Sequence, residues 1–281
     1  MKTKRFFSLL AIILFLGIQC TGQDYTYLGN QEPLRGISDT SGIKSPVTVK
    51  VIYDNYSRSK DMLADWGFSI VIQGLDKEIL FDTGTKPEIF ESNFKKSGID
   101  ASKIDLLLFS HEHGDHIGGI SSFVKMKTGI PVIFPHSFSG EFKQNMEKLG
   151  LKPILVKDPA MICSHLYTSG EFDFQIAEQA LVLDTKKGLV VITGCAHPGI
   201  IDMLKVIKAK FNKNIYMVLG GFHLLNKTNK EMDAIISEMK SMGIVKCGAT
   251  HCTGEKQIKM FREAFGENYF ELGAGNTIVI N

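Results

Sequence analysis

The sequence predicts an α/β fold, a four-layer αββα sandwich of two related halves, in which two mixed sheets face each other and helices cover both outsides. Three observations carry this. A strand hairpin, a helix and a further apolar strand follow one another twice, at 68–109 and at 180–223. The strand after each helix is a nearly continuous apolar run, as expected where both faces of a strand are covered. With 281 residues, 44% of them hydrophobic and 22% charged, the chain can bury a full core as one large domain or two fused half-domains.

The elements follow in order. "VTVKVIYD" (47–54) alternates with the period of a strand. "FSIVIQGLDKEILFDTG" (68–84) holds two strand-like runs around a turn at Gly74 to Lys77. "PEIFESNFKKSG" (87–98) has helical spacing, with Pro87 at its first position and Gly98 after its end. "IDLLLF" (104–109) is the first buried strand. "ALVLDTKKGLVVITG" (180–194) is a second hairpin, around a Lys-Lys-Gly turn, and "IIDMLKVIKAKF" (200–211) a second helix. "IYMVLGGFH" (215–223) then stands where "IDLLLFSH" stood in the first half. A helix at 255–265 and a strand at 277–281 complete the domain, 46–281. Two mixed sheets packed face to face satisfy this repeated plan.

Charge excludes little. Thirty-two basic residues against 30 acidic ones leave a net charge near zero, and no basic run suggests nucleic acid. The N-terminus is more specific. Lys2, Lys4 and Arg5 precede an apolar stretch from Phe6 to Ile18 and then small and polar residues, the layout of a secretory signal peptide over residues 1–22. The stretch is shorter than the roughly 20 residues that a membrane-spanning helix needs. Export to the periplasm is therefore expected. Cys20 resembles a bacterial lipid-attachment site, with Gln19 where a small residue is usual, so a lipid anchor and ordinary cleavage near Gly22 both stand. Residues 23–45 read as a flexible arm. Cys163, Cys195, Cys247 and Cys252 remain, as disulfides or as buried free thiols.

The chemistry concentrates in "LLLFSHEHGDHIGG" (106–119). His111, His113, Asp115 and His116 sit where a buried strand leaves the sheet, and loops at strand ends are where a rigid sheet displays reactive groups. Four such groups are hard to explain as packing, because uncompensated buried polar groups cost free energy. A divalent ion takes about four imidazole and carboxylate ligands at roughly 2.0–2.2 Å, and this segment is too short to wrap all four around one ion. Dividing them between two ions is easier. His197, His223 and His251 also follow apolar strands, each with a small residue close by. His136 and His165 lack a second ligand beside them and read as structural.

These residues resemble the metallo-β-lactamase-fold superfamily, whose His-x-His-x-Asp-His signature is His111, His113, Asp115 and His116. "FDTG" upstream and histidine motifs downstream stand in the superfamily's order, and the resemblance covers residues 46 to 281. It implies two divalent metal ions, zinc with iron or manganese as alternatives. His111, His113 and His197 would hold one, and Asp115, His116 and His251 the other. Asp82 would support the ligands from behind. The sequence departs from the pattern at Gly220-Gly221, where most dinuclear members carry an aspartate or cysteine. Either His223 replaces that ligand, or the second metal is held loosely or absent. Cys195 and Cys252 are read as buried or supporting thiols.

"TGCAHPG", "LGGFHL" and "THCTG" resemble the dihydropteroate-synthase-like branch, labelled by a 7,8-dihydropterin-6-methyl-4-(β-D-ribofuranosyl)-aminobenzene-5'-phosphate synthase. The metal pair and the export signal point to an exported hydrolase that sets an activated water on an ester, lactone, thioester or phosphoester of a small, anionic molecule, whereas the branch label implies a transferase. Asp115 would orient the nucleophile, and His223 would protonate a leaving group or touch a substrate anion. The alternatives are a pterin-type transferase and a surface metal-binding protein without turnover. β-Lactamase activity is disfavoured by the missing strand-end ligand. No nucleic acid is expected as partner, and a membrane only through Cys20. Loops at 54–66 and 135–145 are the expected specificity elements, with Trp66 either lining the pocket or packing on the sheet.

Overall fold

The computed structural model describes residues 25–28 and 46–280. The stretch read as an export signal, Cys20 and all of the expected arm except residues 25–28 lie outside the described residues.

The first half comprises β1 (Thr26–Tyr27), β2 (Val47–Tyr53), β3 (Ser69–Gln73), β4 (Glu78–Phe81), α1 (Pro87–Lys96), β5 (Ile104–Leu108), α2 (Gly114–Ile117), α3 (Ile120–Met126), β6 (Pro131–Pro135), α4 (Gly140–Lys148) and β7 (Lys152–Val156). The second comprises β8 (Ala160–Cys163), β9 (Leu166–Thr168), β10 (Leu181–Thr185), β11 (Gly188–Thr193), α5 (Ile200–Phe211), β12 (Ile215–Gly221), α6 (Asn229–Ser241), β13 (Lys246–Thr250), α7 (Glu255–Phe265) and β14 (Thr277–Ile280). One sheet runs β1-β7-β6-β5-β4-β3-β2-β14 and the other β13-β12-β11-β10-β9-β8.

Three apolar layers separate four structural ones. Phe90, Phe94 and Phe123 pack the outer helices onto the first sheet beside Phe109 and Phe134. Phe81, Leu108, Leu183, Ile192 and Leu219 fill the space between the sheets. Leu204, Ile207, Phe211 and Phe261 close the second sheet with Val191 and Val218. The αββα prediction holds. No helix among the described residues is long and apolar enough to cross a membrane.

The duplication is also present. β3 pairs antiparallel with β4, and β4 pairs parallel with β5 across α1. β10 and β11 form the matching hairpin, and β11 pairs parallel with β12 across α5. A parallel strand whose crossover is a helix must begin at the same end as its predecessor. The chain therefore leaves β4, β5, β11, β12 and β13 at the same end of the strands, where every candidate ligand lies.

Some elements differ from the sequence reading. Residues 135–145 are not a loop, because α4 begins at Gly140 and Ser139 caps it by accepting from Phe142 N. α6 went unread although Thr228 and Glu231 form a reciprocal capping box at its start. Within the arm, Thr26–Tyr27 adds a short parallel strand to β7, and Leu28 N donates to Leu155 O at 2.9 Å. The segment 54–66 is irregular, as expected.

Candidate metal centre

The backbone is bent sharply at the site. Asp82, Ala196, His223 and His251 all adopt positive φ, between 52° and 59°. Non-glycine residues do so at a cost, and such strain persists only where the surroundings over-determine it. At Ala196 the surroundings are Glu178. Its buried carboxylate accepts from Cys195 N, Ala196 N and His197 N at 2.8 to 2.9 Å, which gathers the turn after β11 into a fixed hook. Gly194 lets this hook approach β5, because a Cβ there would lie 2.6 Å from Ser110 Cβ.

Three imidazoles are oriented by hydrogen bonds from behind. Ser110 Oγ donates to Asp82 Oδ2 at 2.7 Å, so its lone pair accepts from His111 Nδ1 at 2.9 Å. His116 Nδ1 donates to Asp82 Oδ2 at 2.7 Å. His251 Nδ1 donates to Asn55 Oδ1 at 2.8 Å, the oxygen that also accepts from Gly67 N. With each Nδ1 proton committed, each Nε2 is left to face inward. Such partners fix tautomer and ring direction in metal sites.

The inward atoms form two adjoining clusters. His111 Nε2 lies 3.2 Å from both His113 Nδ1 and His197 Nε2. Asp115 Oδ2 lies 3.2 Å from His251 Nε2 and 3.7 Å from His116 Nε2. Lone pairs this close repel unless a cation or proton lies among them. His251 Nε2 is buried without a hydrogen-bond partner, an orphan that a metal ion would satisfy. The residues present therefore fit divalent cations, with Asp115 adjoining both clusters, since it also groups with His111 and His113.

The electrostatics agree. Burial and then the charges of His116 and His197 press His111 well below the ordinary imidazole range. Burial, His223 and His113 push His197 down to about 3. Burial opposes a charge on His116, but the Asp82 and Asp115 carboxylates outweigh it and hold the imidazole up at about 9. Burial would raise Asp115, yet the adjacent His251 and His116 imidazoles keep it below the usual carboxylate range. At pH 7 the metal-free site thus carries a proton on His116, which an ion must displace. That proton is present below about pH 9, so apparent affinity for a divalent ion should climb about tenfold per pH unit from 7 to 9 and then level. Competition titrations with a chelating indicator at three pH values would measure this; a flat profile would show that His116 is not protonated in the metal-free protein.

The structure thus brings together His111, His113, Asp115, His116, His197 and His251, with Asp82 behind two of them. His223 falls at the edge, exposed, its ring centroid 4.3 Å from that of His197. A bond with the Cys252 sulfur holds it above its ordinary pKa against burial. The residue between the clusters is Cys195. Its sulfur joins His111 and His197 in one group of ligand atoms within 4.8 Å of one another, and His116 and His251 in a second. Cys163, Cys195, Cys247 and Cys252 are all buried and form no disulfide. His136 bonds the Tyr27 hydroxyl at 2.7 Å, and the His165 carbonyl accepts from Asp184 N, both among other partners.

Sequence reading missed three residues. Glu178 and Ser110 carried only weak signals, a glutamate before a strand and a serine beside the motif. Asn55 lies 196 residues from the histidine it orients. Trp66, placed between pocket and packing by sequence, donates through Nε1 to Asp115 Oδ2 at 2.8 Å and stays 46% exposed, so it walls the site. A cavity of about 330 Å³ opens beside His197 and His223, bounded by Pro198, Ile201, Leu224 and Lys227. A larger one, about 510 Å³, lies behind Thr250 along α7 and contains none of the clustered histidines.

Comparison with known proteins gives matches of three kinds. Residues 67–161 match the family described as the metallo-beta-lactamase superfamily. The 7,8-dihydropterin-6-methyl-4-(beta-D-ribofuranosyl)-aminobenzene-5'-phosphate synthase of Methanocaldococcus jannaschii is 33% identical, over 75% of this chain and 89% of its own. A crystal structure of a metal-dependent hydrolase of the beta-lactamase superfamily is 29% identical with a TM-score of 0.69, over 83% of this chain and 98% of that one. The metallo-beta-lactamase fold protein YhfI from Bacillus subtilis has a TM-score of 0.62 at 16% identity, over 84% and 100% of the two chains. This last likeness is one of fold.

Proposed function

Because this chain belongs to the metallo-β-lactamase superfamily, we propose that it is an exported metal-dependent hydrolase that sets an activated water on an ester, lactone, thioester or phosphoester of a small anionic molecule. The orphaned Nε2 of His251 carries this reading: it faces Asp115 and His116 inside a second cluster of ligands, adjoining the first. Two divalent ions, when bound, supply an acidified water and polarise the substrate oxygen.

The chain's own residues supply the rest. Asp115 stays a carboxylate at any pH near neutral, so it can take a hydrogen bond from the attacking water. Trp66 Nε1 and His251 fix its orientation. His223, at the mouth and raised in pKa by Cys252, is placed to donate a proton to a leaving oxygen or to contact an anion. Ile201 and Leu224 give the neighbouring cavity an apolar wall, and Lys227 at its rim suits a negatively charged substrate. Export is proposed from Lys2, Lys4, Arg5 and the apolar stretch that follows.

A second reading has its own support in the 33% identity to the archaeal synthase. It is a transferase joining a dihydropterin to an aminobenzene ribofuranosyl phosphate, with the same site activating the leaving group. Turnover in ¹⁸O-labelled water separates the two. Hydrolysis places one solvent oxygen in the product, and chelator treatment of the same sample should abolish turnover until a divalent ion is restored. Product without solvent oxygen, formed only when an amine acceptor is present, would instead establish the transferase.

A further inference from the structure

The strand that should carry the last ligand has no room for one. At the end of β12, a Cβ on Gly221 would lie 2.7 Å from Cys252 Sγ and 3.3 Å from His251 Cδ2. Sulfur already occupies the space into which a strand-end side chain would grow. The Cys252 sulfur lies 3.6 Å from the Cys195 carbonyl and groups with the Cys195 sulfur and His223, apart from the two histidine clusters. Cys195 is held differently. Glu178 clamps its backbone N–H, and Ala196 turns the chain through a left-handed residue so that Cys195 and His197 serve one hook. The Cys195 sulfur then lies 3.3 Å from His116 Nε2 and within ligand reach of both histidine clusters.

From this arrangement we infer that the Cys195 thiolate is a metal ligand shared between the two clusters, taking the role left empty at Gly220-Gly221. The inference rests on the metal-dependent reading above. Thiolate is a strong ligand for zinc and cobalt and a poor one for magnesium and manganese. A sulfur at the junction therefore makes this a centre for thiophilic divalent ions. It also accounts for a buried thiol set 3.3 Å from an imidazole nitrogen, and for His223 lying to one side. Cys252 positions Cys195 through its carbonyl.

Cobalt(II) gives a direct readout. The purified protein is stripped of metal under reductant, loaded with cobalt(II), and assayed for cobalt per chain by elemental analysis. The wild type should show a near-ultraviolet sulfur-to-cobalt charge-transfer band. Cys195→Ser should lose that band while keeping visible cobalt absorption from its histidines, and Cys252→Ser should retain it. X-ray absorption of the zinc-loaded wild type should show a sulfur shell near about 2.3 Å, which decides the matter even if Cys195→Ser fails to fold. Bound cobalt without the band, or a band lost only in Cys252→Ser, overturns the inference and leaves the metal centre standing. No cobalt bound at all overturns both.

Discussion

Asp82→Ala should lower divalent-metal affinity and turnover by about 100-fold or more, although Asp82 is not expected to touch an ion. One carboxylate orients two histidines, one in each cluster. It accepts from His116 Nδ1 directly, and it takes the Ser110 hydroxyl proton, which turns the Ser110 lone pair toward His111. Loss of a single supporting partner costs roughly 10- to 100-fold in affinity or activity, and here two imidazoles are released together. Ser110 N loses its acceptor as well. Asp82→Asn should recover little, since an amide oxygen kept toward the Ser110 hydroxyl and His116 Nδ1 turns the NH₂ against the Ser110 backbone N–H, and the opposite flip turns it against His116 Nδ1. Calorimetric zinc titration and metal content after gel filtration would measure both variants. Wild-type affinity in Asp82→Ala would mean that the histidines are held by packing alone.

Glu178→Ala should destabilise the fold by about 3–5 kcal/mol, the cost of stripping a buried charged acceptor from several donors. For a domain of this size that lowers the melting temperature by roughly 10 °C. Three consecutive N–H groups, of Cys195, Ala196 and His197, would be left in a buried turn with no acceptor. Burial raises the Glu178 pKa, but these three donors and the nearby His116 act against that, which is why a lone carboxylate is tolerated here. Glu178→Gln separates folding from function. Its remaining oxygen can serve Cys195 and Ala196, while its NH₂ opposes the His197 N–H. That variant should be only moderately less stable, yet bind metal less tightly because His197 is freed. Thermal melts paired with metal titration test this; equal metal affinity in the glutamine variant would show that the hook is held by the chain on either side.

The two residues also show where reading the chain succeeds and where it stops. Asp82 was legible through the resemblance, because "FDTG" stands upstream of the histidine motif in the superfamily's order. Glu178 was not. Nothing in "IAEQALVL" distinguishes a buried clamp from an exposed glutamate at the start of a strand, since its three partners lie 17 to 19 residues onward in a turn whose shape it helps to create. Asn55 escaped for the same reason, as did the choice between pocket and packing for Trp66. Each meets its partner only after two sheets have packed. The capping box of α6 and the serine cap of α4 were readable local signals, whereas the pairing of Thr26–Tyr27 with β7 depends on an edge that exists only once the sheet is built.

By itself the sequence determined the layer order and the identity of six clustered candidate ligand residues. Hydrophobic period and strand-end position are local properties, and they survive in one dimension. Tertiary structure decided the rest: which histidine nitrogen faces inward, which carboxylate clamps which turn, and that the Cys195 sulfur lies between the two clusters. Those outcomes depend on distances between segments far apart in the chain, set by the parallel crossovers that end β4, β5, β11, β12 and β13 at one edge. Spacing along the chain carries no record of that meeting point. The packed sheets create it.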